Sequence, residues 1–563
     1  MNFKKYIADK INVDMDKQQL AEFVTPTAEG AFGDFAFPCF RLAKTLRSSP
    51  IAIAEKLQSE IVPDEVIEKA EAVNGYLNFY LRKQKTCTEA IGRILPDEHY
   101  GSSNEGEGKT ICIDYSSVNI AKPFHIGHLS TTAIGSSLYK LYKFLGYNVI
   151  GINHLGDWGT QFGKLIVAYK LWSNKDAVEK GGVDELQRIY VKFHIEEESN
   201  AQLTTEAREW FSRIEKGDVE AQELLEFFKR ITLTEVEKIY KRLNVEFDSW
   251  NGESFYNDKM QPILDLLTQK GLVTTSEGAK IVDLTEYGMS PCLLIKSDGS
   301  SLYATRDLAA AMYRKETYDF YKCLYVVAYQ QNLHFKQIFK VLELAGLPWA
   351  NDLVHVAYGM VSLEDGAMST RKGNAVWLRD VLDKAVAKSY EIINDKNPDL
   401  ENKEEVAEQV GVGAVIFSAL ENARIKDIVF TFERVLNFEG ETAPYIQYTY
   451  ARCCSLFAKA GVSYYARIVP DYSALDNAES AELSKYLLRF PEVVRSSAEK
   501  YEPSFLANYL IDLAQLFNKF YFEQRILDEN IARQNARLQL VACTQRVLAT
   551  GLGLLGISAP QKM

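Results

Sequence analysis

Four short apolar runs, Thr110–Tyr115, Tyr147–Ile152, Lys322–Ala328 and Leu353–Tyr358, alternate with segments of helical periodicity, and this alternation restricts the middle of the chain more than any other feature. Strands that are separated by helices return in the same direction and cannot pair as hairpins. The pattern therefore predicts an α/β fold with a doubly wound parallel sheet of the Rossmann type. One intervening helix is written clearly: Ile134, Leu138, Leu141 and Leu145 recur at helical spacing, and Gly146 ends the run. A highly charged helical block from about Lys170 to Asn244 interrupts the alternation and reads as an inserted subdomain, within about 170–250. Ala279–Leu284 and Cys292–Ile295, the latter followed by Ser297-Asp298-Gly299-Ser300, read as strands with a tight turn.

The flanks differ from this middle. The first hundred residues mix a helical pattern (Ile51 to Ile61) with a strand-like Asn78-Phe79-Tyr80-Leu81, and they close in the polar, glycine-bearing stretch 101–108. From about Glu433 onward the patterning is all helical. The expected division is a small α+β domain over 1–105, the parallel-sheet domain with its insertion over 106–360, a connecting region over 361–435, and an all-α domain over 436–563.

With 563 residues, 47% of them hydrophobic, the chain can bury several cores. Its net charge of −12 argues against nonspecific coating of nucleic acid. The acidity belongs to residues 1–440, and from Ile531 to the end Arg533, Arg537, Arg546 and Lys562 face no acidic residue, which suggests a local basic surface or a solvated helix face. The eight cysteines include no Cys-x2-Cys pair and mostly lie in apolar runs, against a zinc ribbon or a disulfide framework. MNFKKYIADK lacks an apolar signal core and no stretch approaches 18 consecutive apolar residues, so a cytoplasmic location is expected.

Two motifs carry chemistry. His125-Ile126-Gly127-His128 stands where the strand Thr110–Tyr115 gives way to the helix that follows. At such a junction unpaired backbone N–H groups and the helix dipole favour anions, and imidazoles there can reach phosphate oxygens. Composition alone predicts only about 0.005 strings of this form, so two incidental loop histidines are a poor explanation. Met368-Ser369-Thr370-Arg371-Lys372-Gly373-Asn374 is a polar, basic, glycine-bearing loop. Taken alone it is a surface loop with two cations; taken with the histidines, it could hold the β- and γ-phosphates of a nucleotide.

This pair of motifs, with α/β patterning between them, resembles the HIGH and KMSKS signatures of class I aminoacyl-tRNA synthetases. Further strings narrow the resemblance to the arginyl-tRNA synthetase family: Ser116-Ser117-Val118-Asn119-Ile120-Ala121-Lys122-Pro123, Leu155-Gly156-Asp157-Trp158-Gly159-Thr160-Gln161-Phe162-Gly163, Tyr303-Ala304-Thr305-Arg306-Asp307, Pro444-Tyr445-Ile446-Gln447-Tyr448 and the terminal Leu554 to Met563. One position departs from the signature: Ala367 stands where KMSKS begins with lysine. In this family a lysine just before the histidine motif substitutes, which implicates Lys122.

The resemblance implies an enzyme that forms arginyl-adenylate from arginine and ATP, then transfers the arginine to its tRNA. It implies His125, His128, Lys122, Arg371 and Lys372 as catalytic groups, and Gly127, Gly359, Met360, Met368 and Ser369 around ATP, which is bound as its Mg2+ complex. It assigns Tyr303 and Asp307 to the guanidinium, where planar acceptors in a fork would reject the shorter ammonium of lysine. Tyr303 and Asp307, four apart, share a face if the segment is helical; an exposed acid at a helix start is the bland reading. The resemblance adds Asp114, Asn119 and Gln331 to the arginine pocket. His334 lies three residues beyond Gln331, where pocket lining and ordinary packing are both open. For tRNA it assigns the N-terminal domain to the D-loop and elbow, with Tyr76 and Asn78 as base contacts. A half-buried strand tyrosine is as good a reading of Tyr76 from the residues alone. Region 361–435 would carry the signature loop and meet the tRNA stem. The C-terminal domain would read the anticodon loop, with Tyr445, Tyr448 and Met563 nearby. A monomer without structural zinc, needing tRNA before activation begins, completes the expectation. A nucleotidylyltransferase shares the histidine step but needs no pair of RNA-reading domains. Cysteinyl synthetase is disfavoured by the absence of a zinc-like Cys/His set, and a catalytically dead tRNA-binding paralogue by the intact chemical residues.

Overall fold

The computed structural model describes residues 2–27, 32–298, 303–363, 376–437, 440–461 and 469–563. The chain divides into two compact units, the first comprising Met1–Tyr100, Arg452–Phe490 and Asp512–Leu548, the second Gly101–Ala451, Pro491–Ile511 and Ala549–Met563.

In the first unit a four-stranded antiparallel sheet has the order β1 (Thr25–Pro26), β2 (Phe35–Pro38), β4 (Tyr76–Leu81), β3 (Ile67–Val73). Leu77, Phe79 and Leu81 alternate along β4 into a core with Phe37, Ile7, Ile11, Leu20, Ile53 and Leu57, so helices Phe3–Lys10 and Pro50–Glu60 cover one face. The strand expected at Asn78–Leu81 is thus the second half of β4. The helix expected over Ile51–Ile61 runs Pro50–Glu60, started by Ser49 capping the amide of Ala52 with proline at its first position. Three of the four C-terminal cations are engaged rather than presented as a basic surface. Arg546 donates to the carbonyls of Ile94, Leu95 and Asp97, capping the end of helix Lys83–Ile94, while Arg537 pairs with Asp528 at 2.7 Å and Arg533 with Asp471 at 3.4 Å. Backbone carbonyls distant in sequence hold Arg546, Asp471 lies 62 residues from Arg533, and Asp528 falls just before the acid-free stretch.

The second unit is built on the expected parallel sheet, ordered β11 (Leu353–His355), β10 (Lys322–Tyr325), β5 (Thr110–Asp114), β6 (Asn148–Ile152). Helix Leu129–Phe144 connects β5 to β6, and helix Asn332–Leu344 connects β10 to β11. The chain winds outward in opposite directions from the β5–β10 pair, which makes the gap beyond the carboxyl ends of these two strands the topological switch point where doubly wound sheets bind ligands. Sheet and helix meet closely here: a Cβ on Gly135 would lie 2.3 Å from the Tyr115 side chain, so only glycine fits. The charged insertion is helical, over Thr160–Trp172, Lys175–Glu197, Ala201–Glu215 and Val219–Arg242. Beyond it an antiparallel sheet of β7 (Val273–Ser276), β8 (Ala279–Val282) and β9 (Cys292–Ile295) contains both expected strands. β12 (Val361–Leu363) pairs in parallel with β13 (Ile428–Phe430). All eight cysteines are unbridged and seven are buried. Among the described residues no helix is long and apolar enough to cross a membrane.

Candidate functional site

The site begins where β5 ends. Ser116, Ser117 and Ala121 take left-handed backbone angles, φ of 69°, 48° and 59°, which cost energy for residues with a Cβ. Surrounding helices hold them there. The Ser116 amide donates to Thr131 Oγ1 at 3.0 Å, its hydroxyl meets Thr132 Oγ1 and the Tyr240 hydroxyl, and the Ala121 amide donates to Thr232 Oγ1 at 3.0 Å. This strained loop sets the direction in which Asn119, Lys122 and the histidines emerge. Asn119 bridges to Gly156, where a Cβ would stand 2.5 Å from Asn119 Oδ1, so the glycine of the Leu155-Gly156-Asp157 string makes room for the amide.

His125 caps and His128 ends a short 3-10 turn whose geometry determines their protonation. The Gly127 amide donates to His125 Nδ1 at 3.1 Å and the His125 amide to His128 Nδ1 at 3.3 Å, so both Nδ1 atoms are acceptors and each neutral ring carries its proton on Nε2. Burial, reinforced by the charge of Lys122, pushes His125 down to about 4. Burial also takes His128 well below the ordinary value, with His125 and Lys122 adding to it. The rings, 4.0 Å apart, form a pair of neutral N–H donors beside a lysine. Met368, Ser369, Arg371 and Lys372, with Ala367, lie outside the described residues, but the chain following them is described. Val376 accepts from the Ile126 amide at 3.0 Å and Phe124 from the Leu378 amide at 2.8 Å, so the end of that loop is tied to the histidine turn. On its other side Gly359 and Met360 approach β13. The Gly359 amide donates to the Arg424 carbonyl at 2.7 Å and that of Met360 to Asp427 Oδ1 at 2.7 Å, so both N–H groups are already engaged.

The opposite lip belongs to helix Tyr303–Tyr318. The Tyr303-to-Asp307 segment is helical, as expected, and the two face the same side; Tyr303 is 57% exposed at the helix start. Asp307 Oδ2 lies 2.6 Å from His334 Nε2, and Oδ1 4.0 Å from His154 Nε2, so two histidines meet this carboxylate. Gln331, one turn before His334, is exposed. Asp114, at the end of β5, is 5% exposed and bound on both oxygens, by Ser117 Oγ at 2.8 Å and by Arg314 at 2.7 Å. Its occupied carboxylate retains only its outer lone pairs for a substrate.

Two acidic or basic members of the site carry no sequence signature. Glu253 begins the 3-10 segment Glu253–Lys259 and is placed by Asp157, which accepts from the Ser254 amide and hydroxyl and from Lys229. Burial, then the negative charge of Asp307, push its carboxyl up to about 8. Its Oε2 is sealed from solvent with no hydrogen-bond partner among the described residues. Arg314, 1% exposed, is the other. Their positions depend on pairings across roughly fifty to two hundred residues, so local spacing could not reveal them; the only signal was an acid one residue past a Trp-Asn-Gly turn.

The residues assigned to tRNA lie elsewhere. Tyr76, 42% exposed, packs edge-on against the exposed Phe40 at 5.2 Å, and Asn78 on the same face of β4 is 3% exposed. Tyr448 is 43% exposed and Tyr445 half-buried on helix Ala443–Ala460. Met563 packs against Ile393, Leu400 and Val410, and its carbonyl accepts from Asn397.

A switch-point crevice with neutral histidine donors on one lip and carboxyl groups on the other, in a chain where residues 90–432 match the model for "tRNA synthetases class I (R), catalytic domain", defines a class I aminoacyl-tRNA synthetase. Residues 1–81 match the arginyl tRNA synthetase N-terminal domain and 446–563 the DALR anticodon binding domain. The chain is 51% identical to an arginine–tRNA ligase of Clostridioides difficile, over 98% of this chain and 97% of the relative, and 51% identical to one of Clostridium botulinum over the full length of both. Among solved structures it superposes on Thermus thermophilus arginyl-tRNA synthetase with a TM-score of 0.84 and 29% identity, covering all of both chains. The chain belongs to the arginine–tRNA ligase family.

Proposed function

We propose that this crevice activates L-arginine with ATP and passes it to the 3′-terminal adenosine of an arginine tRNA, with the following division of labour. The guanidinium lies against Asp307 and Tyr303, and Glu253 supplies the second acceptor of the fork. Asp114, Asn119 and Gln331 hold the α-ammonium and orient the side chain. ATP enters as its Mg2+ complex, with adenine over Gly127 and beside Gly359 and Met360. Its α-phosphate meets the Nε2–H groups of His125 and His128. Lys122 and the loop of Met368, Ser369, Arg371 and Lys372 follow the outer phosphates.

The arginine carboxylate attacks the α-phosphorus in line and expels Mg2+-bound pyrophosphate; no bond to the enzyme forms. Alignment of two anions and stabilisation of the charge growing on phosphoryl oxygens supply the rate. A ribose hydroxyl of the tRNA then attacks the mixed anhydride, releasing AMP. The tRNA is read through Tyr76 and Asn78 at its elbow and through Tyr445, Tyr448 and Met563 near the anticodon, by a monomer that awaits tRNA before activating arginine.

The observation that supports this reading is a buried Glu253 carboxyl near enough to Asp307 to be raised by its charge, in the same unit as two histidines whose Nδ1 atoms are already committed. Arginine-dependent exchange between ATP and labelled pyrophosphate, measured with and without tRNA, tests it. Exchange that requires arginine and is stimulated by tRNA is expected, and no exchange under either condition would sink the reading.

A further inference from the structure

One helix face carries Tyr303, Asp307 and, two turns further in, Arg314. Among the described residues Arg314 is the largest fully buried side chain, and its charge is held by Asp114 at 2.7 Å. Burial alone would discharge this guanidinium, yet Asp114 keeps it firmly ionised. Its Nε and Nη1 find no hydrogen-bond partner among the described residues. A buried ion pair with donors left over is costly, and apolar residues of similar volume would generally stabilise a core better. Stability therefore gives a weak reason for Arg314, and its surroundings give a stronger one.

The nitrogen that meets Asp114 also lies 3.5 Å from His154 Nδ1. A guanidinium only donates, so Nδ1 is the accepting atom and the proton of neutral His154 sits on Nε2. Burial lowers the tendency of His154 to gain a second proton, with Arg314 opposing the charge as well. Nε2 points at Asp307 Oδ1, 4.0 Å away, while His334 holds Oδ2 at 2.6 Å. The ring of His154 is steadied by Tyr256 at 5.5 Å. Asp114, at the end of β5, is thus linked through Arg314 and His154 to Asp307 on the other lip.

We propose that Arg314 and His154 are positioning residues for arginine recognition: Arg314 fixes the tautomer of His154, whose Nε2–H then orients the carboxylate of Asp307 toward the incoming guanidinium. This rests on the assignment of Asp307 to the guanidinium. The two long distances close as substrate draws Asp307 inward, as catalytic hydrogen bonds commonly do on going from the empty to the occupied enzyme. Neither residue touches ATP, so the effect falls on arginine alone.

Steady-state pyrophosphate exchange by the full chain with tRNA present, on His154→Leu, His154→Gln and Asp307→Asn, tests the inference. Replacing His154 leaves the Arg314–Asp114 pair intact, whereas Arg314→Met would strand Asp114 and endanger folding. His154→Leu is expected to raise KM for arginine about tenfold or more, the range for losing a hydrogen bond to a charged group, with KM for ATP within about twofold. His154→Gln, whose amide N–H can replace Nε2–H, is expected to recover most of the loss. An unchanged KM for arginine in His154→Leu would overturn the inference, as would equal rises for both substrates that glutamine fails to rescue. Asp307→Asn separates the two levels: if it too leaves KM for arginine unchanged, the guanidinium assignment itself is wrong. If it raises that KM while His154→Leu does not, only the positioning role fails.

Discussion

At His125 and His128 the backbone chooses the tautomer, and burial keeps the rings neutral. A neutral imidazole donating through Nε2 stabilises growing phosphoryl charge without first losing a proton. His125 takes a second proton, on the Nδ1 that accepts from Gly127, only as pH falls through about 4, so no His125 limb is expected in the activation rate above pH 5 or so. His125→Ala should slow adenylate formation by about 10²–10³-fold, as removal of a single oxyanion donor does, and single-turnover kinetics would check it. Glu253 behaves in the opposite sense. With its carboxyl pushed up to about 8, it is mostly protonated at pH 7 and ionises as pH rises. A guanidinium prefers the ionised form, so arginine binding is expected to release a proton near neutrality and to tighten from pH 6.5 to 8. Calorimetry in buffers of different ionisation enthalpy measures this directly, and the release should vanish in Glu253→Gln. The histidines, Lys122, Tyr303 and Asp307 were legible in the sequence because each sits in a short string. Glu253, His154 and Arg314 were not, because burial and partners far along the chain give them their roles.

The element that organises the pocket is helix Tyr303–Tyr318, which sets Asp307 and Arg314 on one face between the ends of β5 and β10. Its periodicity and the strand–helix alternation made the parallel sheet readable from sequence. What alternation cannot convey is strand order, and it is the order β11-β10-β5-β6 that opens the crevice. Of the expected Lys322–Ala328 and Leu353–Tyr358, the continuous ladder reaches Tyr325 and His355, and the expected ends Ala328 and Tyr358 meet again as an isolated parallel bridge. The packing of helix Leu129–Phe144 on β5 is the most demanding contact beneath the histidines. Gly135→Ala would drive a methyl into Tyr115 and is expected to destabilise by about 1–3 kcal/mol, seen as a lowered midpoint in denaturant.

For the molecule as a whole, each unit contributes differently to charging. In the first unit the exposed Tyr76 and Phe40 form an aromatic ledge suited to stacking a base. Tyr76→Ala should raise KM for tRNA several-fold and leave tRNA-saturated KM values for arginine and ATP unchanged; a shift in the latter would assign Tyr76 to folding instead. The C-terminal arginines, for which composition left a basic surface or a solvated helix face open, serve as a helix cap and as ion-pair partners. The central claim is that guanidinium and phosphate are held on opposite lips of one switch-point crevice in the second unit. A crystal structure with a non-hydrolysable arginyl-adenylate analogue measures this most directly. The guanidinium is expected within hydrogen-bond distance of Asp307 and Glu253, with the phosphate-equivalent oxygens at the Nε2 atoms of His125 and His128. A guanidinium bound away from both carboxyls, or histidines that meet the analogue through Nδ1, would contradict it.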